Sequence, residues 1–172
     1  MNRCVFLDRD GVINKDNPDY TFIVSEFKIL PFVIESLQIL KSANYKLVVV
    51  TNQSGIAQGI YTMDQMKACH DFFQKECGGL IDHFYFSPYH PSVTESLLRK
   101  PGTLMFEKAI AKFKIDISKS WMIGDRGRDI VTAKEIGLKT IQIGDEIPKP
   151  EEQATHRVSN LKEAAEIILR QN

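Results

Sequence analysis

The sequence predicts an α/β protein, a Rossmann-like parallel sheet with helices on both faces. Three observations predict it. Segments of strand character alternate with segments of helical periodicity along the chain. The apolar runs Cys4 to Leu7 and Val48 to Val50 are short and continuous, as strands buried on both faces are. Polar clusters containing glycine follow the strands, at the edge where an open sheet of this kind binds ligands.

Each element can be justified in order. The first strand, Cys4–Asp8, is the apolar run that ends in Asp8-Arg9-Asp10-Gly11, where Gly11 lets the chain leave in a sharp turn. A helix over Phe32–Ala43 follows from the spacing of Ile34, Leu37, Ile39 and Leu40. The strand Lys46–Val50 is next, then a helix over Met63–Cys77 that Thr62 and Gln65 open as a capping box. A strand at His83–Phe86 leads to a helix at Leu104–Phe113, and a strand at Trp121–Ile123 to a helix at Asp129–Ile136 that Gly137 stops. The last strand expected is Thr140–Ile143. Asn160 and Glu163 then start a helix over Leu161–Leu169 whose apolar face is Ala165, Ile168 and Leu169. Glu146–Thr155, with Pro148 and Pro150, is expected to be a surface loop. Asn14–Leu30 and Ser87–Lys100 are too irregular for the core, and long loops of this kind often carry function.

A chain of 172 residues suits one domain, 1–172, built on one core. Its 22 basic and 22 acidic residues cancel and form no basic run, which argues against a nucleic-acid partner. No apolar stretch is long enough for a membrane span, and the N-terminus lacks a signal-peptide pattern. Cys4, Cys69 and Cys77 are odd in number, and Cys69 and Cys77 lie roughly 12 Å apart along a helix, too far to bridge. Reduced thiols in a cytoplasmic protein are the simplest expectation, and a monomer is expected.

The clusters after the strands carry the chemistry. In Asp8-x-Asp10, one carboxylate can act as nucleophile and form an acyl-phosphate, while the other exchanges a proton with the leaving oxygen and with water. Carboxylates this close repel, so a hard cation such as Mg²⁺ is expected nearby. An acidic strand-to-helix turn is the plain alternative. Thr51-Asn52-Gln53-Ser54-Gly55 offers hydroxyls, amides and free N–H groups suited to phosphate oxygens, or is an ordinary polar turn. Arg99-Lys100-Pro101 supplies a planar fork and a point charge, with Pro101 keeping Lys100 extended, unless it is a solvated basic pair. Gly124-Asp125 adds a third carboxylate fit for Mg²⁺, with Asp129 either supporting it or capping the next helix. Nucleophile, phosphate nest, cation and metal carboxylate together are the parts of phosphoryl transfer through an aspartyl-phosphate.

These four clusters, in this order, resemble the motifs of the haloacid dehalogenase (HAD) superfamily of phosphatases. The fuller strings Phe6-Leu7-Asp8-Arg9-Asp10-Gly11-Val12-Ile13-Asn14, Val50-Thr51-Asn52-Gln53-Ser54-Gly55-Ile56-Ala57 and Arg99-Lys100-Pro101 are similar to its subfamily IIIA, whose members lack a separate cap domain. The resemblance implies that Asp8 is the nucleophile and Asp10 the general acid/base. It implies that Asp8, the backbone carbonyl of Asp10 and Asp125 hold Mg²⁺, and that Thr51 and Lys100 steady the phosphoryl group. Asn52, Gln53 and Ser54 would line the substrate pocket, Arg99 and Arg126 would meet the substrate, and Asp16 and Tyr20 would reach it from the loop after the first motif. The implied substrate is a small phosphorylated metabolite, D-glycero-D-manno-heptose 1,7-bisphosphate losing its 7-phosphate, with histidinol phosphate as the alternative. A positively charged substrate should meet an acidic entrance, whereas Arg99 and Arg126 favour a second anionic group. A non-catalytic binding protein on the same fold is the reading from another class.

The chain departs from the family at one place. Relatives often carry a Cys-x-His and Cys-x-Cys zinc loop before Arg-Lys-Pro. Here the ligand positions hold Ser87, Tyr89, Ser96 and Leu98, which offer neither thiolate nor imidazole. No structural zinc is therefore expected. His90 is expected to be a loop or pocket residue, and the shortened loop to pack through Tyr89, Leu97 and Leu98.

Overall fold

The computed structural model describes residues 1–171. Six parallel strands form one sheet in the order β3-β2-β1-β4-β5-β6. They are β1 (Arg3–Leu7), β2 (Tyr45–Asn52), β3 (His83–Ser87), β4 (Trp121–Gly124), β5 (Lys139–Ile143) and β6 (His156–Val158). Five helices connect them: α1 (Val33–Ser42), α2 (Met63–Glu76), α3 (Leu104–Phe113), α4 (Gly127–Glu135) and α5 (Leu161–Arg170). The order of the strands reverses between β1 and β4, so a crevice opens beyond their carboxyl ends, the place where doubly wound sheets bind ligands.

Alternation along the strands divides the core in two. Val5 and Leu7 of β1, with Leu47 and Val49 of β2, face α1, α2 and α5 through Leu37, Leu40, Phe73 and Ile168. Cys4 and Phe6, with Val48 and Val50, face α3 and α4 through Met105, Phe106, Ala109 and Ala133. Cys4 through Leu7 are fully buried, which is why the first strand is apolar on both sides. The capping box of Thr62 and Gln65 forms at the start of α2, Asn160 caps α5, and Gly137 takes the left-handed conformation just past α4. All three cysteines are free and buried. Among the described residues no helix is long and apolar enough to cross a membrane.

Three expectations need correction. The segment after Glu146 is not loop alone: a short 3₁₀ turn covers Pro150–Glu152, and β6 follows on the sheet edge. Three residues that include a histidine and an arginine carry no apolar run by which to find such a strand. Helix α4 starts at Gly127, two residues ahead of Asp129, because the Asp129 carboxylate folds back onto the Arg126 N–H. Leu97 does not pack the loop before Lys100 but is 74% exposed. A turn that closes with Arg99 N–H on the Ser96 carbonyl directs Leu98, not Leu97, onto the α3 side of the core.

Candidate active site

Three strand ends and one loop converge in the crevice. Asp8 follows β1, Thr51 and Asn52 end β2, and Asp125 follows β4. Lys100 enters from the loop between β3 and α3. The sharp turn at Gly11, with φ of +83°, brings the first loop back against Asp125, and a side chain on Gly11 would collide with the Asp125 carboxylate.

Lys100 is 1% exposed, and its ammonium lies 3.1 Å from Asp8 Oδ1 and 2.6 Å from Asp129 Oδ1 while donating to the Val50 carbonyl at 2.7 Å. Burial disfavours its charge, but Asp129 and Asp8 outweigh that and raise its pKa. Asp8 Oδ1 also takes the Arg9 backbone N–H at 2.7 Å, which leaves Oδ2 without a donor among the described residues. Burial first, then the charge of Asp129, pushes the Asp8 carboxyl up to about 6. Burial, Asp8 and Asp129 push Asp125 up to about 8. Carboxylate oxygens of Asp8, Asp125 and Asp129 lie within 4.8 Å of one another, and Asp125 Oδ1 is buried with no hydrogen-bond partner. Crowded hard-oxygen donors with one oxygen unsatisfied fit a divalent cation such as Mg²⁺.

Asp10 is held differently. Its Oδ1 accepts from Arg9 Nη2 at 3.0 Å and Asn14 Nδ2 at 2.9 Å, and its Oδ2 from Arg9 Nε at 3.1 Å and Gln53 Nε2 at 3.0 Å. Burial alone would raise its pKa, but the Arg9 charge and these hydrogen bonds win and lower it. Two neighbouring aspartates are thus driven apart, the pattern of a site that assigns them different duties.

The remaining predicted residues separate into groups. Asn52 grips the Lys100 backbone in both directions, through Nδ2 to its carbonyl at 3.1 Å and Oδ1 from its N–H at 3.0 Å. Gln53 is 1% exposed and spans Asp10, Thr51 Oγ1 at 2.9 Å and the Tyr61 hydroxyl at 2.8 Å. Ser54 is buried beside them. Tyr20 accepts from Gln58 Nε2 and sets its ring against Tyr61. Arg126 pairs with Asp16 at 2.7 Å, Glu146 at 2.9 Å and Asp125 at 3.1 Å. Its charge is therefore matched by three carboxylates. Asp129 takes the capping role, accepting the Arg126 N–H, and also pairs with Lys100, a role the sequence did not suggest.

Sequence reasoning did not single out Arg9, Asn14, Tyr61 or Arg128. Arg9 lies between two aspartates and is 1% exposed, anchored also to the Thr21 carbonyl at 2.8 Å. Arg128 stands in the fourth motif, and its exposed charge acts on Asp8, Lys100 and Arg99. The Arg99 guanidinium donates to the Tyr89 carbonyl at 3.2 Å. Neither arginine has a carboxylate partner among the described residues. Beside them a cavity of about 370 Å³ is lined by Asp10, Asp16, Asp125, Arg126, Glu146 and Glu152, with Gly127 and Arg128. A second hollow of about 390 Å³ runs along Arg99, Lys100 and Pro101 to Pro91 and Leu97.

Known proteins resemble this chain along its length. The HAD-hydrolase-like family profile matches residues 97–164. D-glycero-beta-D-manno-heptose-1,7-bisphosphate 7-phosphatase of Photorhabdus laumondii is 37% identical over 168 residues, covering 91% of this chain and 89% of that protein. D-glycero-alpha-D-manno-heptose-1,7-bisphosphate 7-phosphatase of Burkholderia mallei is 38% identical over 149 residues, covering 81% and 78%. The crystal structure of D,D-heptose 1,7-bisphosphate phosphatase from B. bronchiseptica, complexed with magnesium and phosphate, superposes with a TM-score of 0.88 over 99% of both chains at 24% identity. That last likeness shows the fold.

Proposed function

The chain belongs to the HAD phosphatases, and on that premise we propose that it removes the 7-phosphate of D-glycero-D-manno-heptose 1,7-bisphosphate through an aspartyl-phosphate on Asp8. The observation that carries the reading is the buried Lys100 ammonium 3.1 Å from Asp8, in the crevice where three carboxylates crowd within 4.8 Å. Asp8, the backbone carbonyl of Asp10, and Asp125 would hold Mg²⁺, which when bound would offset the repulsion between these carboxylates and an incoming phosphate.

Asp8 Oδ2, the oxygen the protein leaves free, attacks phosphorus. Asp10, ionised while Arg9, Asn14 and Gln53 donate to it, first takes a proton from solvent and gives it to the leaving oxygen as the bond from phosphorus to that oxygen breaks. Asp10 then takes a proton from water, which attacks phosphorus and releases Asp8. Lys100 and the Thr51 hydroxyl balance the charge that gathers on the phosphoryl oxygens. Asn52 keeps Lys100 in place. Arg99 and Arg128, which have no carboxylate partner among the described residues, take the distal phosphate. We assign the catalysis to one domain, residues 1–172, acting as a cytoplasmic monomer without structural zinc.

A second reading, histidinol phosphate, is favoured by one observation: Asp16, Glu146 and Glu152 make the mouth of the cavity acidic. The relatives' names and the free arginine pair favour the heptose. Phosphate release from the two substrates at equal concentration, with Mg²⁺ and an Asp8→Asn control, decides. Preference for the heptose with an inert control is expected. Preference for histidinol phosphate would reassign the substrate, and an active Asp8→Asn variant would remove the mechanism.

A further inference from the structure

We propose that Tyr61 is a positioning residue whose hydroxyl, acting through Gln53, aims the Asp10 carboxylate. The proposal rests on the phosphatase reading above and extends it to a residue outside the four motifs. Tyr61 is 4% exposed and Gln53 1%. The amide of Gln53 offers one acceptor and two donors, and its orientation is a choice between two flipped states. In the observed state Nε2 donates to Asp10 Oδ2 at 3.0 Å and to Thr51 Oγ1 at 2.9 Å, and Oε1 accepts from the Tyr61 hydroxyl at 2.8 Å. In the flipped state Oε1 would face a carboxylate oxygen and repel it. Asp10, which only accepts, sets that choice, and the Tyr61 hydroxyl holds Gln53 in it by giving Oε1 its donor. Burial pushes its pKa up, so it keeps its proton.

The ring is fixed in turn. It stacks on Phe22 at 5.1 Å with 8° between planes and meets Tyr20 at 5.6 Å. It also lies against Gly55, where any side chain would strike the ring. The consequences reach the reacting atoms. With Gln53 completing four donors around Asp10, the carboxyl group holds one orientation toward the leaving oxygen.

That orientation matters in proportion to the basicity of the leaving group. When phosphorus transfers to Asp8, the electron pair of the broken bond stays on the leaving oxygen. A sugar alkoxide needs the Asp10 proton at that moment, whereas p-nitrophenolate leaves without it. The value of kcat/KM reports this first irreversible step, so hydrolysis of the acyl-phosphate does not enter.

Tyr61→Phe keeps the ring and removes the hydroxyl. On D-glycero-D-manno-heptose 1,7-bisphosphate its kcat/KM should fall about ten-fold, while on p-nitrophenyl phosphate it stays within about two-fold. Gln53→Ala should lose at least as much on the heptose bisphosphate, and the double variant should lose no more there than Gln53→Ala alone. Equal losses on both substrates, no loss on either, or additive losses would each reduce Tyr61 to packing and overturn the proposal. If unaltered protein turns over neither substrate, the phosphatase reading itself fails and takes this proposal with it.

Discussion

At the scale of single residues, the site depends on which charges are already matched. Arg126 has the motif position expected to meet the substrate, yet Asp16, Asp125 and Glu146 surround it at 2.7 to 3.1 Å. A guanidinium so paired has little attraction left for a phosphate. Arg99 and Arg128 have no such partners, and burial together with the Arg128 charge lowers the Arg99 pKa, so an anion between them relieves both. Arg128→Ala should therefore raise KM for the heptose bisphosphate by about 10- to 100-fold, the worth of a charged hydrogen bond. It should leave p-nitrophenyl phosphate, which has no second phosphate, nearly unchanged. Steady-state kinetics on both substrates check this, and a proportional loss on the two would place Arg128 in catalysis instead. Asp8, Lys100 and Asp125 are legible as candidates because each residue type fits one chemical duty in its motif, and the structure brings the three into one crevice. Arg9 and Gln53 were less so, since the direction of a side chain inside a turn depends on partners distant in sequence. For Gln53 that partner is Tyr61, eight residues on, with no local pattern to announce it.

Elements were easiest to place where local and tertiary signals agree. Helix α2 is an example: Thr62 Oγ1 accepts the Gln65 N–H at 3.2 Å and Gln65 Oε1 accepts the Thr62 N–H at 2.9 Å, as the spacing of the two residues predicts. Thr62→Ala should cost about 1 kcal/mol, lowering Tm by roughly 2–4 °C for a chain of this size, with kcat unaltered. Thermal unfolding beside a turnover assay checks it; a fall in kcat would mean that the first turn of α2 also holds Tyr61 in place. Helix α4 was placed two residues late because an aspartate near a helix start can cap from the first position or from the third. Only the Lys100 ion pair, formed across the crevice, settles Asp129 at the third. Strand β6 lacks a sequence signal for a different reason. As an edge strand it is stabilised by its register against Ile141–Ile143 rather than by its own apolar content.

For the whole molecule, the crowded carboxylates of the crevice cost stability that a bound cation would restore. The sheet order and the two cores follow from apolar alternation, which a sequence displays; the strain of gathering three carboxylates appears only when the strands are assembled. Asp8 and Asp125 have folded pKa values of about 6 and about 8, above the ordinary 3.8. Carboxyls raised in this way bind protons more tightly folded than unfolded. Their contribution to stability is complete below the unfolded value and is lost as pH climbs through the folded values. Metal-free protein should thus lose stability from these groups between about pH 4 and pH 8. Asp10, lowered by its partners, contributes in the opposite sense, losing stability only on acidification below the ordinary carboxylate range. His70, buried and depressed to about 3, also opposes the trend below its ordinary value. Both act alike with and without metal, so they cancel in the difference between the two. Mg²⁺ bound there would take the place of the protons on Asp8 and Asp125 and would stabilise the fold in proportion to their ionisation. The rise in Tm on adding Mg²⁺ should therefore be small near pH 5 and grow steadily toward pH 8, and Asp125→Asn should flatten that growth. Thermal unfolding with Mg²⁺ or with a chelator, across this range, measures it. A Mg²⁺ shift that stays constant with pH would show that the crowded carboxylates are not where the cation binds.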